Sequence, residues 1–311
     1  MSLSDIPGEF KIRTENLTKS YSGVKAVDSI NVNVGKGQVC GFVGPNGSGK
    51  TTTLGMMTGL IEPTSGNCFL NGVEVGRHPL EVKRIIGYLP DGFGFYSHMT
   101  ATQNLKYFSK FYGMSEPGAN ARITELLSYV GLAKVDKRVG AYSRGMRQRL
   151  GLARVLLNDP EVIFLDEPTN GLDPEGVIQF RKVVKEQSLL GKTIFFSSHL
   201  LDEVQHVCDH VCIISKGSVV AQGTLDDVKR GFRKEQKFTI IVKVNGVLPM
   251  LSDPSIIDVT YGDGGAIIKA RSDIRDYIAD IIAKNDLRVR EMRLEEESLE
   301  DVFLESVYRG D

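Results

Sequence analysis

Eight consecutive residues, Gly44-Pro45-Asn46-Gly47-Ser48-Gly49-Lys50-Thr51, carry the spacing Gly-x4-Gly-Lys-Thr. Glycines at 44, 47 and 49 free the backbone to curl, so that successive N–H groups point inward at phosphate oxygens. Lys50 can then reach outer phosphates and the Thr51 hydroxyl can ligate magnesium. The apolar run 39–43 reads as a buried strand before the loop, and residues 51–60 read as a helix after it. The start of that helix carries partial positive charge and favours the same anion. Thr52, in its first turn, belongs to the same phosphate-binding set. An ordinary glycine-rich turn would have no use for the Lys-Thr pair or for the strand in front of it.

Two further pairs could act on a phosphate held there. Four apolar residues, Val162-Ile163-Phe164-Leu165, end in Asp166-Glu167, and the apolar run 193–196 ends in Ser197-Ser198-His199. Strands of this kind deliver polar groups at the carboxyl edge of an open α/β sheet, where ligands bind. Asp166 suits Mg²⁺, held through water. Glu167 suits orientation or deprotonation of an attacking water. Asp91, in the polar loop that closes the short strand 84–90, is a third carboxylate able to serve metal and water. Tyr21, read as part of the turn around Ser22-Gly23, offers a ring on which an adenine could stack.

The elements that must position these groups alternate strand and helix, which predicts a mainly parallel sheet. Residues 10–14 and 30–34 alternate as half-buried strands, and Asn71-Gly72 marks a hairpin between 68–70 and 73–75. From about 93 to 157 the pattern turns helical. Leu105, Phe108, Phe111 and Tyr112 form one stripe and Ile123, Leu126, Leu127 and Val130 another; both read as core. Strands 211–215 and 218–222 pair about Lys216-Gly217, and a short helix over 224–231 closes the domain. A basic stretch, 229–237, reads as a solvated hinge. Beyond it strands are expected at 238–244, 266–270 and 287–294, an amphipathic helix on Ile274, Tyr277, Ile278, Ile281 and Ile282 with Ser272 as N-cap, and a last helix over 298–308. The expected division is 1–232 for the nucleotide-binding domain and 233–311 for a small α+β domain.

Length and charge narrow the class. The chain has 311 residues, 41% hydrophobic and 25% charged, with a formal net charge of −1. Such a balance gives no global field for nucleic acid or an anionic membrane. No stretch reaches the ~18 apolar residues of a membrane span, and residues 1–10 lack the layout of a signal peptide. The four cysteines, Cys40, Cys68, Cys208 and Cys212, sit in apolar settings that suit reduced thiols. His206, Cys208, His210 and Cys212 have metal-binding residue types, but no second cluster completes a zinc set. The terminal Arg309-Gly310-Asp311 is read as chance.

One more segment, Tyr142-Ser143-Arg144-Gly145-Met146-Arg147-Gln148-Arg149, places a serine before a glycine-containing helix start in the helical region. With it, residues 10–232 resemble the ATP-binding subunit of an ABC transporter. The resemblance rests on Tyr21, the phosphate loop 44–51 as Walker A, Ser143-Arg144-Gly145-Met146 as the signature segment, Val162–Glu167 as Walker B, Gly171-Leu172-Asp173 as the D-loop and His199 as the switch histidine. It implies a P-loop ABC-type cassette: a mainly parallel core sheet, an antiparallel β subdomain and a helical subdomain inserted at about 93–157.

It further implies an ATPase using ATP and Mg²⁺, in which two cassettes sandwich two nucleotides head to tail. Ser143 and Gly145 of one would grip the γ-phosphate held by the other's Gly44–Thr51 loop, and His199 would touch that phosphate too. The implied partners are an integral-membrane permease and a second copy or a similar ATPase subunit, with no nucleic acid. The implied site is peripheral, at the cytoplasmic face of the cell membrane.

Two positions depart from the family pattern. Asp91 stands where Gln is usual, and Arg144 where the first signature glycine lies. Both variants, and the closing segment 297–303, look like the exporter branch that includes antibiotic- and sodium-efflux ATPases. A soluble ABC ATPase acting on ribosomes or nucleic acid is the alternative, disfavoured by the single cassette and the lack of sustained heptads.

Overall fold

The computed structural model describes residues 10–92, 94–232, 238–262 and 264–296. The chain divides into two compact units, Met1–Leu225 and Asp226–Asp311.

The first unit opens with strands β1 (Phe10–Tyr21), β2 (Val24–Ile30) and β3 (Asn33–Gly35), then β4 (Val39–Val43) and helix α1 (Lys50–Met57). Strands β5 (Ser65–Leu70) and β6 (Val73–Glu74), helix α2 (Pro79–Ile85) and strand β7 (Ile86–Leu89) follow. Helices α3 (Ala101–Ser109), α4 (Glu116–Tyr129) and α5 (Arg144–Val155) come next, then strand β8 (Val162–Leu165), helix α6 (Pro174–Leu189) and strand β9 (Thr193–Ser198). Helix α7 (Leu201–Gln205) and strands β10 (His210–Ser215) and β11 (Ser218–Thr224) complete the series, and helix α8 (Leu225–Phe232) starts on the last residue of this unit and belongs otherwise to the second.

A six-stranded sheet in the order β11-β10-β4-β9-β8-β7 is the platform of the site. Its pairs are parallel except β10–β11, which turns about Lys216 and Gly217, both at positive φ. Strands β4, β8 and β9 are buried along their whole length, which is why they read as unbroken apolar runs. Phe42, Phe164 and Phe195 stack their rings on one face, with centroids 5.3 and 6.0 Å apart. They join Leu54, Met56 and Met57 of α1 and Ile12, Leu17 and Leu70 of the antiparallel strands in one core. Burying such a ring contributes about 1.5–3 kcal/mol. On the other face Phe196 meets Phe180 of α6 edge-on at 5.8 Å. The second sheet, antiparallel in the order β2-β1-β5-β6 with β3 on β1, covers the first face. The whole run from α3 to α5 is spliced between β7 and β8, which nevertheless pair in register, Ile86 with Val162 through Leu89 with Leu165.

Beyond α8, the described part of the second unit is an antiparallel sheet with helix α9. Strands β12 (Phe238–Val244), β13 (Ile256–Gly262) and β14 (Gly265–Ala270), helix α9 (Arg275–Lys284) and strand β15 (Val289–Glu296) give the order β13-β14-β12-β15. Ile240, Val242, Ile268, Ile278 and Ile282 form its core.

Several expectations are corrected. Tyr21 is the last residue of β1, paired with Val24, rather than part of the turn. The stretch 30–34 is not one strand: β2 ends at Ile30 and β3 starts at Asn33. Phe111 and Tyr112 are not core; they are 70% and 40% exposed, because α3 has ended by Ser109 and a 3₁₀ turn carries them outward. Ser272 does not cap α9. That helix starts at Arg275, whose N–H donates to Asp273 Oδ1 at 3.1 Å. The expected helix over 298–308, the segment 297–303 and most of the basic stretch 229–237 lie outside the described residues.

Candidate functional site

The phosphate loop leaves β4 and enters α1 as the motif requires. Gly49 has φ 106°, and a methyl group on it would lie 2.5 Å from the Ala26 carbonyl oxygen, so both backbone and space demand glycine. Gly47, at φ 81°, has nothing within 4 Å of such a methyl group and faces open space. No side chain caps α1 at Gly49, and its first turn holds no acid. The free N–H groups and the dipole of this turn are therefore left for an external anion. Thr51 is exposed and Thr52 half-buried there, while Lys50 is buried.

The strand ends bring the remaining groups to the same edge. Gly44 N–H donates to Ser198 O at 3.2 Å, and Asp166 N–H donates to Leu89 O at 2.8 Å. Lys50 Nζ donates to Gly44 O at 2.7 Å and Pro45 O at 3.2 Å, and lies 3.2 Å from Glu167 Oε1. That last contact is Coulombic only, since Glu167 Oε1 has no hydrogen-bond partner. Glu167 Oε2 is 2.8 Å from His199 Nδ1. The Glu167 backbone sits at φ 46°, with its N–H donating to Ser197 Oγ at 2.8 Å. Ser197 Oγ in turn donates to Asp166 Oδ1 at 2.6 Å. One serine thus ties the Asp166 carboxylate to the Glu167 backbone.

Three buried oxygens here lack any hydrogen-bond partner: Ser48 Oγ, Asp166 Oδ2 and Glu167 Oε1. Orphaned buried oxygens are costly, and here they face chemistry that a triphosphate and a divalent cation would satisfy. A cation would take the free Asp166 Oδ2 and the Thr51 hydroxyl, so the residues present fit magnesium.

Asp91 is exposed beyond the end of β7 and makes no hydrogen bond or ion pair among the described residues. Its charge nevertheless reaches the site. Burial first, then the Asp166 and Asp91 carboxylates, push the Tyr88 phenol up, so it stays protonated. Tyr88 was missed by sequence reasoning, in which it was one more apolar residue of a strand. Tyr21 is half exposed, with Lys19 Nζ over its ring at 5.2 Å from the centroid. Cys208 and Cys212 are free and buried, and no His, Cys, Asp and Glu cluster suited to a metal occurs among the described residues.

Ser143 stands apart from the loop. It caps α5, accepting from Met146 N–H at 3.2 Å. No hydrogen bond or ion pair joins Ser143 or Gly145 to the phosphate loop among the described residues. The first turn of α5 carries no acid, so Ser143 and Gly145 mark a second anion-favouring helix start with no anion of its own chain to serve.

Comparison with known proteins agrees with this geometry. The family described as "ABC transporter" matches residues 27–170, and the "ATP-binding protein DrrA1-3-like, C-terminal domain" matches residues 223–307. The bacitracin transport ATP-binding protein BcrA of Bacillus licheniformis is 39% identical, over 96% of this chain and 98% of its own. The ABC transporter ATP-binding protein NatA of Bacillus subtilis is 42% identical, over 68% of this chain and 87% of its own. Among solved structures, the dimeric post-hydrolysis state of the ATP-binding cassette MJ0796 bound to ADP and Pi superposes with a TM-score of 0.64 at 25% identity, covering 69% of this chain and 98% of that one.

Proposed function

The chain belongs to the ABC transporter ATP-binding family, and from that membership we propose that two cassettes close head to tail around two ATP molecules to drive a membrane permease. The protein is the ATP-binding subunit of an exporter-type ABC transporter and hydrolyses ATP to power transport. The observation that carries the detailed reading is the Lys50–Glu167 approach at 3.2 Å. It joins the first residue of α1, the phosphate-binding lysine, to an acid just beyond the end of β8 that is able to work on water.

In this reading the free N–H groups of the loop and of the first turn of α1, with the Lys50 ammonium, take the phosphates. Lys50 exchanges the Gly44 and Pro45 carbonyls and the Glu167 carboxylate for phosphate oxygens. That releases Glu167 Oε1 to align the attacking water, while His199 keeps Glu167 oriented and lies beside the γ-phosphate. Thr51, Asp166 and Asp91 would hold magnesium, whose contribution when bound is to neutralise phosphate charge. Tyr21 stacks on the adenine. Ser143 and Gly145 complete the partner's pocket, in line with their having no anion within their own chain. Residues 1–232 act as the cassette, with a helical subdomain at about 93–157, and 233–311 as an accessory domain.

Among the described residues no helix is long and apolar enough to cross a membrane; in this reading the cassette docks on a membrane permease. Its docking surface is the exposed apolar groove lined by Leu60, Leu80, Phe111 and Tyr112, together with the loop 94–100. That loop is held by Asn104, which accepts from Tyr96 N–H at 2.9 Å and donates to Tyr96 O and Thr100 O. The subunit then works peripherally, at the cytoplasmic face. The second cassette is another copy or a similar subunit.

The test is mass in solution. With a non-hydrolysable ATP analogue and magnesium, the wild-type chain is expected to sediment at twice its monomer mass, and Ser143→Ala to remain monomeric at the same nucleotide occupancy. Dimerisation that is indifferent to nucleotide and to Ser143→Ala would sink the head-to-tail reading. Independently, Tyr21→Ala is expected to weaken ATP about tenfold, the scale of one base–aromatic stack, and to leave tripolyphosphate binding unchanged. Equal loss of both ligands, or of neither, rejects the stacking role.

A further inference from the structure

Arg144 is the first residue of α5 and follows Ser143 directly. A cation at a helix N-terminus opposes the dipole, and its charge has no ion pair or hydrogen bond among the described residues. The side chain is exposed, and its guanidinium lies against Gly171. A methyl group built on Gly171 would lie 2.3 Å from both Cζ and Nη1 of Arg144 and 2.5 Å from its Nε. Three guanidinium atoms at nearly equal range describe a flat face laid on the Gly171 α-carbon. Gly171 itself holds φ +71°.

The next turn of the helix repeats the contact. Gln148 Nε2 donates to Pro168 O at 2.5 Å. A methyl group on Gly145 would sit 3.9 Å from Leu172 Cδ2. One face of α5 therefore follows the segment 168–172, the continuation of Glu167. Within that segment Asn170 N–H donates to Glu167 O at 3.2 Å and Leu172 N–H to Thr169 O at 3.0 Å. The turn is tied to Glu167 at one end and to α5 at the other.

We propose that Arg144 is a positioning residue: its guanidinium clamps the turn after Glu167 to the helix that starts at Ser143, so that the hydrolytic acid and the phosphate grip of one subunit move as one body. A planar, weakly hydrated guanidinium can lie flat on a glycine backbone; a lysine ammonium of similar reach cannot. The clamp acts on turnover rather than on nucleotide binding, because neither Arg144 nor Gly171 touches the phosphate loop. The inference rests on the role given to Glu167 above.

A double-mutant cycle on the full chain tests it. Arg144→Gly is expected to lower kcat about fivefold or more and to leave KM for ATP within about twofold, a coupling of the usual size for neighbouring groups. Arg144→Lys is expected not to restore it. Gly171→Ala carries a backbone cost in any background, but its damage is expected to be at least about fivefold smaller beside Arg144→Gly, where no guanidinium meets the new methyl group. Strictly multiplicative effects, or wild-type kcat in Arg144→Lys, overturn the clamp, the latter pointing to charge alone. Should Gly171→Ala not fold, the kinetics of the two position-144 variants decide alone: wild-type kcat in either one overturns it. Retained turnover in Glu167→Gln would fell the acid's role separately, since the cycle reports coupling whichever residue acts on water.

Discussion

Glu167→Gln is expected to reduce ATP turnover by about 10²-fold or more, the scale of a lost general base, and to leave ATP affinity within about twofold. The substitution is nearly isosteric, and the surrounding contacts accept an amide. The backbone N–H of residue 167 still donates to Ser197 Oγ, the side-chain oxygen can still face His199 Nδ1, 2.8 Å away in the wild type, and Lys50 keeps its bonds to the Gly44 and Pro45 carbonyls. What disappears is the charge and the ability to take a proton from water. Without nucleotide the variant is expected to melt below wild type, because the buried Lys50 ammonium loses its counter-charge; with MgATP the nucleotide is expected to bind and the ATP-bound dimer to accumulate. Steady-state ATPase, ATP binding and the melting temperature check this together. Turnover near wild type would reject Glu167 as the water-activating group and would leave its buried, partnerless Oε1 as a purely structural feature beside Lys50.

Why the phosphate loop was legible, and other parts were not, follows from where the constraint lies. The loop is written locally: glycines at positive φ and a helix start without a cap fall at fixed offsets, so spacing alone specifies the cradle. The strands under it were legible because burial on both faces leaves a run with no polar break, as in Val39 to Val43 or Val162 to Leu165. Helix α2 was not foreseen. It is seven residues long and buries only Val82, too little for a 3.6-residue period to register. Strand β13 has no buried residue and exists through its pairing with β14, which a sequence does not display. The stripe ending in Phe111 and Tyr112 had helical spacing, but spacing does not show where a helix stops: Leu105 is buried, while α3 ends at Ser109 and the 3₁₀ turn carries the last two residues outward. The neighbourhood of Tyr88 with Asp166 and Asp91 and the seat of Arg144 on Gly171 both depend on strands and helices meeting in space. The types of those residues carry no hint of it.

Lys50→Ala is expected to remove ATP binding, by about 10²-fold or more, and also to weaken the fold. Charge-assisted hydrogen bonds to phosphate are worth about 1.5–3 kcal/mol each, and two of them account for that loss of affinity. The second effect comes from what Lys50 does without nucleotide. Its Nζ answers the Gly44 and Pro45 carbonyls and balances Glu167, with the Lys50 and Glu167 side chains only 6% and 11% exposed. Removing one member of so buried a pair leaves the other charge uncompensated, a cost of about 3–5 kcal/mol in comparable cases. The two effects separate in one thermal-melt experiment. Without ligand, Lys50→Ala should melt below wild type. With MgATP, wild type should rise by the linkage stabilisation, about 2.7 kcal/mol at a hundred times Kd, and the variant should not move. Glu167→Gln introduced beside Lys50→Ala should recover part of the lost stability, because the orphaned charge is gone, and none of the ATP-induced shift. A variant that melts lower but still gains the full MgATP shift would show that Lys50 serves the apo loop and not the phosphates, and the exchange of partners assigned to it on ATP binding would fall.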